Sequence, residues 1–239
     1  MNSNVNDAPR PAIRELTPLE ARVLGVLFEK QHTVPDTYPL SLNALTLGCN
    51  QKTSRSPVMN ANEADVLATI EDLKRVSLVF EGSSSRVPRF EHNMERVLGV
   101  PRQAAALLAA LLLRGPQTAA ELRLATTRLH AFADTSSVEA FLDELAARDT
   151  PFALKLPRTP GERESRWMHL LCGADAAAEA TAAFSSARAE AVPNHDAETL
   201  RADYRKLAEK VARLEVLVER MAGELGISTD HPNPAERPQ

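Results

Sequence analysis

The chain has 239 residues, a formal charge of -4 and 44% hydrophobic but only 4% aromatic residues. That suits one or two helix-rich globular domains and argues against broad electrostatic attraction to nucleic acid. Cys49 and Cys172 form no CxxC pair, the first residues lack a signal-peptide core, and no apolar run approaches the ~18 residues of a membrane span, so a cytoplasmic protein without membrane contact is expected.

The first element is "LTPLEARVLGVLFEKQ". Thr17 is a good N-cap, Pro18 suits the first helical position and Glu20 completes a capping box. Leu16, Leu19, Val23 and Leu27, with Leu24 and Phe28, make an apolar face at helical spacing, so the pattern predicts a helix from Pro18 to about Gln31. A Pro-rich turn, "TVPDTYP", follows. "LSLNALTLGCN" predicts a second, short helix, and "NEADVLATIEDLKRVS" a third, capped by Asn62. "LVFEG" and "VPRFEHN" around "SSSR" read as a hairpin.

The order then repeats from Pro101. "PRQAAALLAALLLRG" is an apolar helix, "QTAAELRLATT" a second with Thr118 as its cap, and "DTSSVEAFLDELAARD" a third. "PFALKL" and "RWMHLL" around "PRTPGERES" close a second hairpin. Three helices followed by a two-stranded wing is the winged-helix pattern. The expected fold class is mainly α with small β-wings (α+β), in two tandem winged-helix domains over residues 16–97 and 98–173.

Residues 174–195 are Ala-rich, a helical spacer or a linker broken by Pro193. Residues 196–226 carry a heptad pattern. Leu200, Leu207, Leu214 and Met221 share one position; Tyr204, Val211, Val218 and Leu225 share the other. Val at a and Leu at d favour a parallel two-stranded coil, hence a homodimer, with Lys210 and Glu215 at g and e. The alternative is a helix folded back on its own chain. Residues 1–15 and 227–239 read as disordered termini.

Little in the sequence points to catalysis or cofactors. Cys49 has no histidine identified as its base, and a small buried thiol is the ordinary case. The six histidines are scattered, and His169 with Cys172 is at most half a tetrahedral metal site. There is no GxGxxG and no GxxxxGK[ST]. No catalytic, metal or cofactor residues are assigned, and a non-enzymatic protein is expected. The leading reading is a DNA-binding or regulatory module; the alternative is a protein-interaction adaptor that uses the winged helices and the coil without binding DNA. Double-stranded DNA would meet Gln51, Lys52 and Arg55 before the third helix, Arg86 and Arg89 on the first wing, and Lys155, Arg158, Arg163 and Arg166 on the second. Against this, the third helices are acidic: Glu63, Asp65, Glu71 and Asp72 in the first, Glu139, Asp143 and Glu144 in the second. Acidic winged helices suit a protein partner instead.

Three segments carry a resemblance: "LTPLEARVLGVLFEK" from Leu16 to Lys30, "TVPDTYPLSLNAL" from Thr33 to Leu45, and "CNQKTSRSPVM" from Cys49 to Met59. With the later "RVPRFEHN" they resemble the YceH-like family of bacterial proteins over roughly residues 16–173. The resemblance implies a tandem winged-helix fold and no known activity. Within "NQKTSR", Asn50 and Ser54 suit backbone bonding of a long turn with Cys49 packed inside, while Gln51, Lys52 and Arg55 suit contact with a partner. Both roles stand open at this point.

Overall fold

The structure, a computed structural model, describes residues 14–82, 87–158 and 162–190, and within the C-terminal segment residues 205, 207, 210–214, 218 and 220. The chain divides into two compact units, residues 1–185 and 186–239. In the first unit one order of elements occurs twice.

The first pass begins with α1 (Pro18–Thr33), whose start is fixed by the expected Thr17–Glu20 capping box. A one-turn 3-10 helix, Pro35–Thr37, leads into β1 (Leu40–Ser41). Then come α2 (Leu42–Cys49), capped by Ser41, and α3 (Glu63–Arg75), capped by Asn62. β2 (Val79–Gly82) and β3 (Arg89–His92) complete a three-stranded antiparallel sheet in the order β1-β3-β2. A short α4 (Met94–Leu98) connects to the second pass. That pass runs α5 (Arg102–Arg114), β4 (Gln117–Thr118), α6 (Ala119–Ala125), α7 (Thr135–Ala146), β5 (Ala153–Lys155) and β6 (Arg166–His169). Its sheet is ordered β4-β6-β5. The Ala-rich segment is helical as α8 (Ala174–Glu190).

β1, β4 and α4 were not expected. A two-residue strand shows no alternation, and α4 has barely one turn, so neither has a period to detect. Leu40 and Ser41, read as helix, pair with Phe90 and Arg89 instead.

The registers reveal a sequence repeat that element order alone does not. Ser41 lies opposite Arg89, and Thr118 lies opposite Arg166. Each pairs the N-cap of the pass's second helix with an arginine of its last strand. Those strands read Arg-Phe-Glu-His from Arg89 and Arg-Trp-Met-His from Arg166. Arg89 donates to Pro39 O at 2.8 Å, and Arg166 donates to Pro116 O at 3.2 Å. Each arginine thus fastens the wing to the residue that precedes its first strand.

The two passes share one core. α1 is buried from Glu20 to Phe28 and α5 from Ala104 to Leu113, on all sides. A helix that is apolar all round belongs inside a protein, and these two pack directly on each other. Gly25 lies at their contact, where an added Cβ would stand 3.0 Å from Leu113 Cγ. The close approach therefore rests on the missing side chain. Leu16 N–H also donates to Leu171 O at 2.8 Å, joining the start of the first pass to the end of the second.

The strand histidines have an energetic consequence. Burial lowers the pKa of His169 from 6.5 to about 4; burial, then the charge of His32, does the same to His92. Between these values the unfolded chain takes up protons that the folded chain refuses, so stability falls as pH drops from about 6.5 to about 4. For His169 alone the expected loss from pH 7 to pH 5 is about 2 kcal/mol. Urea unfolding at both pH values checks this: His169→Leu should show the smaller difference, and an unchanged difference would contradict the assignment.

Candidate functional site

The connection between α2 and α3 is held by many hydrogen bonds. Arg22 of α1, which is only 1% exposed, ties the end of α2 to the middle of this loop. Arg22 Nη1 donates to Cys49 O at 3.1 Å, and Nη2 donates to Pro57 O at 2.6 Å. No carboxylate pairs with it among the described residues, and its Nε has no partner there. Burial, and then the neighbouring Arg55 charge, lower its pKa.

Arg55 turns inward from the loop. Its Nε donates to Gly48 O at 3.2 Å, and its Nη1 and Nη2 bind Glu29 of α1 at 3.2 and 2.6 Å. Burial alone would raise the Glu29 pKa; the hydrogen bond and charge of Arg55, with Lys30, outweigh it and hold the carboxyl below its usual range. Asn50 makes a two-way clasp with Ala61: Nδ2 donates to Ala61 O at 2.7 Å, and Ala61 N–H donates to Oδ1 at 2.8 Å. Ser54 holds a left-handed backbone (φ 59°). Ser56 N–H reaches across to Leu113 O of α5 at 2.8 Å.

Cys49 is fully buried beneath this loop, and burial pushes its thiol up to about 12, against the opposing charges of Arg22 and Arg55. Cys172 is pushed up to about 11, chiefly by burial. Neither favours thiolate chemistry. Among the described residues no three or more His, Cys, Asp or Glu side chains gather to hold a metal.

The nine expected contact residues separate into classes. Arg55 is buried against Glu29, and Arg166 is buried against Glu121, with Nη1 to Oε2 at 2.6 Å, and Glu162. Arg89 holds the carbonyls of Thr37 and Pro39. Gln51 is half-buried, accepting from Arg55 Nη2 at 3.2 Å. Lys155 lies 3.8 Å from Glu139 and over the Trp167 ring. Lys52, Arg158 and Arg163 are exposed. Arg86 lies outside the described residues. Arg55 and Arg166 therefore face inward, and reaching a partner would break their ion pairs.

The outer faces of the third helices are acidic. α3 exposes Glu63, Asp65 and Glu71, while its C-terminal Lys74 and Arg75 are engaged by Glu71, Glu81 and Asp72. α7 exposes Asp143 and Glu144.

On the other side of the loop lies a cleft between the two passes. One part has a volume of about 510 Å³ and includes Ser54, Ser56, Arg114, Leu124 and Phe184 in its lining. An adjoining part of about 200 Å³ shares Ser54 and Arg114 and adds Lys30 and Arg128. Sequence reasoning did not single out Arg114; its one signal is that it ends the apolar run of α5. It also missed Arg22, whose signal is the uninterrupted apolar "VLGVLF" beside it, which leaves α1 no solvent face.

In the second unit, Leu207, Val211, Leu214 and Val218 are exposed on helical backbone. Leu200, Tyr204, Met221 and Leu225 lie outside the described residues.

Residues 16–162 match the family model described as a protein of unknown function, DUF480. A UPF0502 protein of Paraburkholderia phymatum is 71% identical over 230 residues, covering 96% of this chain and 97% of the relative. UPF0502 proteins of Burkholderia thailandensis and Burkholderia orbicola are 70% and 66% identical, again over 96% of this chain and over 97% and 98% of theirs.

The role of Arg22 is directly measurable. Arg22→Met keeps the volume but leaves the Cys49 and Pro57 carbonyls without their donor, with an expected cost of about 3 kcal/mol in urea unfolding. Lys52→Met in the same loop should stay within about 0.5 kcal/mol of the parent. Equal effects of the two would contradict the stapling role.

Proposed function

The chain belongs to the DUF480 family of proteins of unknown function, and we propose that it is a non-enzymatic adaptor whose two winged-helix units dock a protein partner. The winged-helix reading follows from the repeated order helix, strand, helix, helix, strand, strand, with the first strand completing each wing. The observation that carries the docking reading is charge. Glu63, Asp65 and Glu71 on α3, and Asp143 and Glu144 on α7, face solvent. These are the helices a DNA-binding winged helix would lay in the major groove, where carboxylates oppose phosphates. A partner surface with basic side chains around an apolar centre suits α3, whose Leu67 is exposed among these carboxylates.

The heptad supplies the second part of the proposal, a homodimer. Leu207, Val211, Leu214 and Val218 keep a spacing of four, three and four, and each is exposed in the single chain. A second copy would bury them in a parallel coil and set two adaptors side by side. Two free thiols suit a reducing cytoplasm.

Double-stranded DNA remains a second reading, favoured by one observation. Lys52, Arg158 and Arg163 are exposed at the loop and beyond the second wing strand. Retention on sheared genomic DNA at about 150 mM salt separates the two readings. The adaptor reading expects no retention above a control protein, and Lys52→Glu with Arg158→Glu should change nothing. Retention that this double variant abolishes would establish the DNA reading. Arg55 is unsuitable for such a test because its replacement breaks the loop itself.

The docking face has its own check. Asp143→Lys with Glu144→Lys should leave thermal unfolding unchanged and abolish recovery of proteins that co-purify with the parent chain. Identical recovery would remove α7 from the interface. Deleting residues 194–239 should convert a dimer to a monomer by light scattering; a persisting dimer would overturn the coil.

A further inference from the structure

The cleft between the two passes has a polarity opposite to that of the outer helix faces. Its two adjoining parts are lined by Lys30, Arg55, Arg114, Arg128 and Arg166, against only Glu29 and Glu121. In a chain of net charge -4 this is a local reversal of sign.

Most of these cations are already placed. Arg55 pairs with Glu29, Arg166 pairs with Glu121, Lys30 lies 3.5 Å from Glu29, and Arg128 Nη2 donates to Thr33 O at 3.3 Å. Arg114 is different. It is half-buried, lines both parts of the cleft, and has no hydrogen bond or ion pair among the described residues. A guanidinium loses part of its hydration in such a place and receives nothing in return until an anion arrives.

The surroundings define what that anion carries. Ser54 and Ser56 are in the lining. The apolar part of the lining includes Leu124, 73% exposed, and Phe184, whose ring also lies 5.3 Å from Arg166. Two carbonyls at the end of α5 are satisfied, which lessens the field that disfavours an anion there: Leu111 O accepts from Gly115 N–H, and Leu113 O accepts from Ser56 N–H. The larger part, about 510 Å³, lies within the usual range for small-ligand sites.

We propose that this cleft binds a carboxylate attached to an apolar group, with the carboxylate on Arg114 and the apolar group against Leu124 and Phe184. The ligand chemistry has two sources, a free organic acid or an acidic side chain beside an apolar one in a partner's segment. This site is separate from the acidic docking faces and does not depend on the adaptor reading.

The test is titration of the full-length protein with benzoate, with benzyl alcohol, with inorganic phosphate and with a blocked Glu-Leu-Glu-Leu peptide, followed by NMR shifts or calorimetry. Benzoate is expected to bind with a Kd on the order of 1 mM, as its small size allows. Arg114→Gln should weaken it about tenfold, as for a lost charge-assisted bond. Leu124→Ala should weaken it about threefold through lost apolar contact. Benzyl alcohol should not bind. The Arg114 side chain has no partner among the described residues, so unfolding of Arg114→Gln should match the parent and confirm that the fold is intact. Tighter binding of the peptide than of benzoate, with the same dependence on Arg114, assigns the site to a partner segment; the reverse order assigns it to a free acid. Phosphate binding as tightly as benzoate would overturn the apolar half of the proposal. No Arg114-dependent binding of either carboxylate probe would overturn the whole.

Discussion

A single buried guanidinium sets the geometry between α2 and α3. Arg22 leaves α1, the most buried helix of the first pass, and holds the carbonyls of Cys49, at the end of α2, and of Pro57, midway along the loop. A buried charge without a counterion is costly, and it persists only where hydrogen bonds replace its hydration. Here the carbonyls of Cys49 and Pro57 provide them. Further bonds fix the rest of the loop. Arg55 is drawn inward to Glu29, Asn50 clasps Ala61, and Ser56 reaches α5. The loop consequently belongs to the framework that joins the two passes, and Lys52 is left at its exposed tip.

This arrangement explains why the long motif around Cys49 reads so easily as a binding site. Several of its polar side chains are used on backbone groups of the loop and its neighbours. Asn50 and Arg55 do this from within the loop, and Arg22 does it from outside. The same logic recurs at the wings, where Arg89 and Arg166 occupy equivalent positions and bind equivalent proline carbonyls. Arg55, Arg89 and Arg166, which suggest phosphate contact in one dimension, are internal fasteners in three. The exposed faces of α3 and α7 carry carboxylates, while a basic cleft lies between the passes.

Much of the fold was legible in the sequence. The caps at Thr17, Asn62 and Thr118 start their helices where expected, because each supplies a local hydrogen bond to its first turn. Local rules could not supply β1, β4 or the burial of α1 and α5 on every side, since these depend on partners distant in sequence. The repeated Arg-aromatic-x-His of β3 and β6 was available at the level of letters. It gains meaning only once the register sets each arginine opposite a helix cap. The candidate site was legible in outline only. Its loop was correctly placed before the third helix, but spacing alone cannot tell an arginine that points out from one that points in. Arg114 closes an apolar run and looks like an ordinary helix end until the loop from the other pass packs beside it.

The most direct measurement is amide hydrogen exchange across residues 50–62 in the native protein. Two amides report the closure: Ser56, bonded to Leu113 O, and Ala61, bonded to Asn50 Oδ1. Protection of both close to that of the α5 core, lost in Arg22→Met, is the expected result. Exchange at the rate of an open surface loop in the parent chain would contradict the account, and would return this segment to the class of mobile recognition loops.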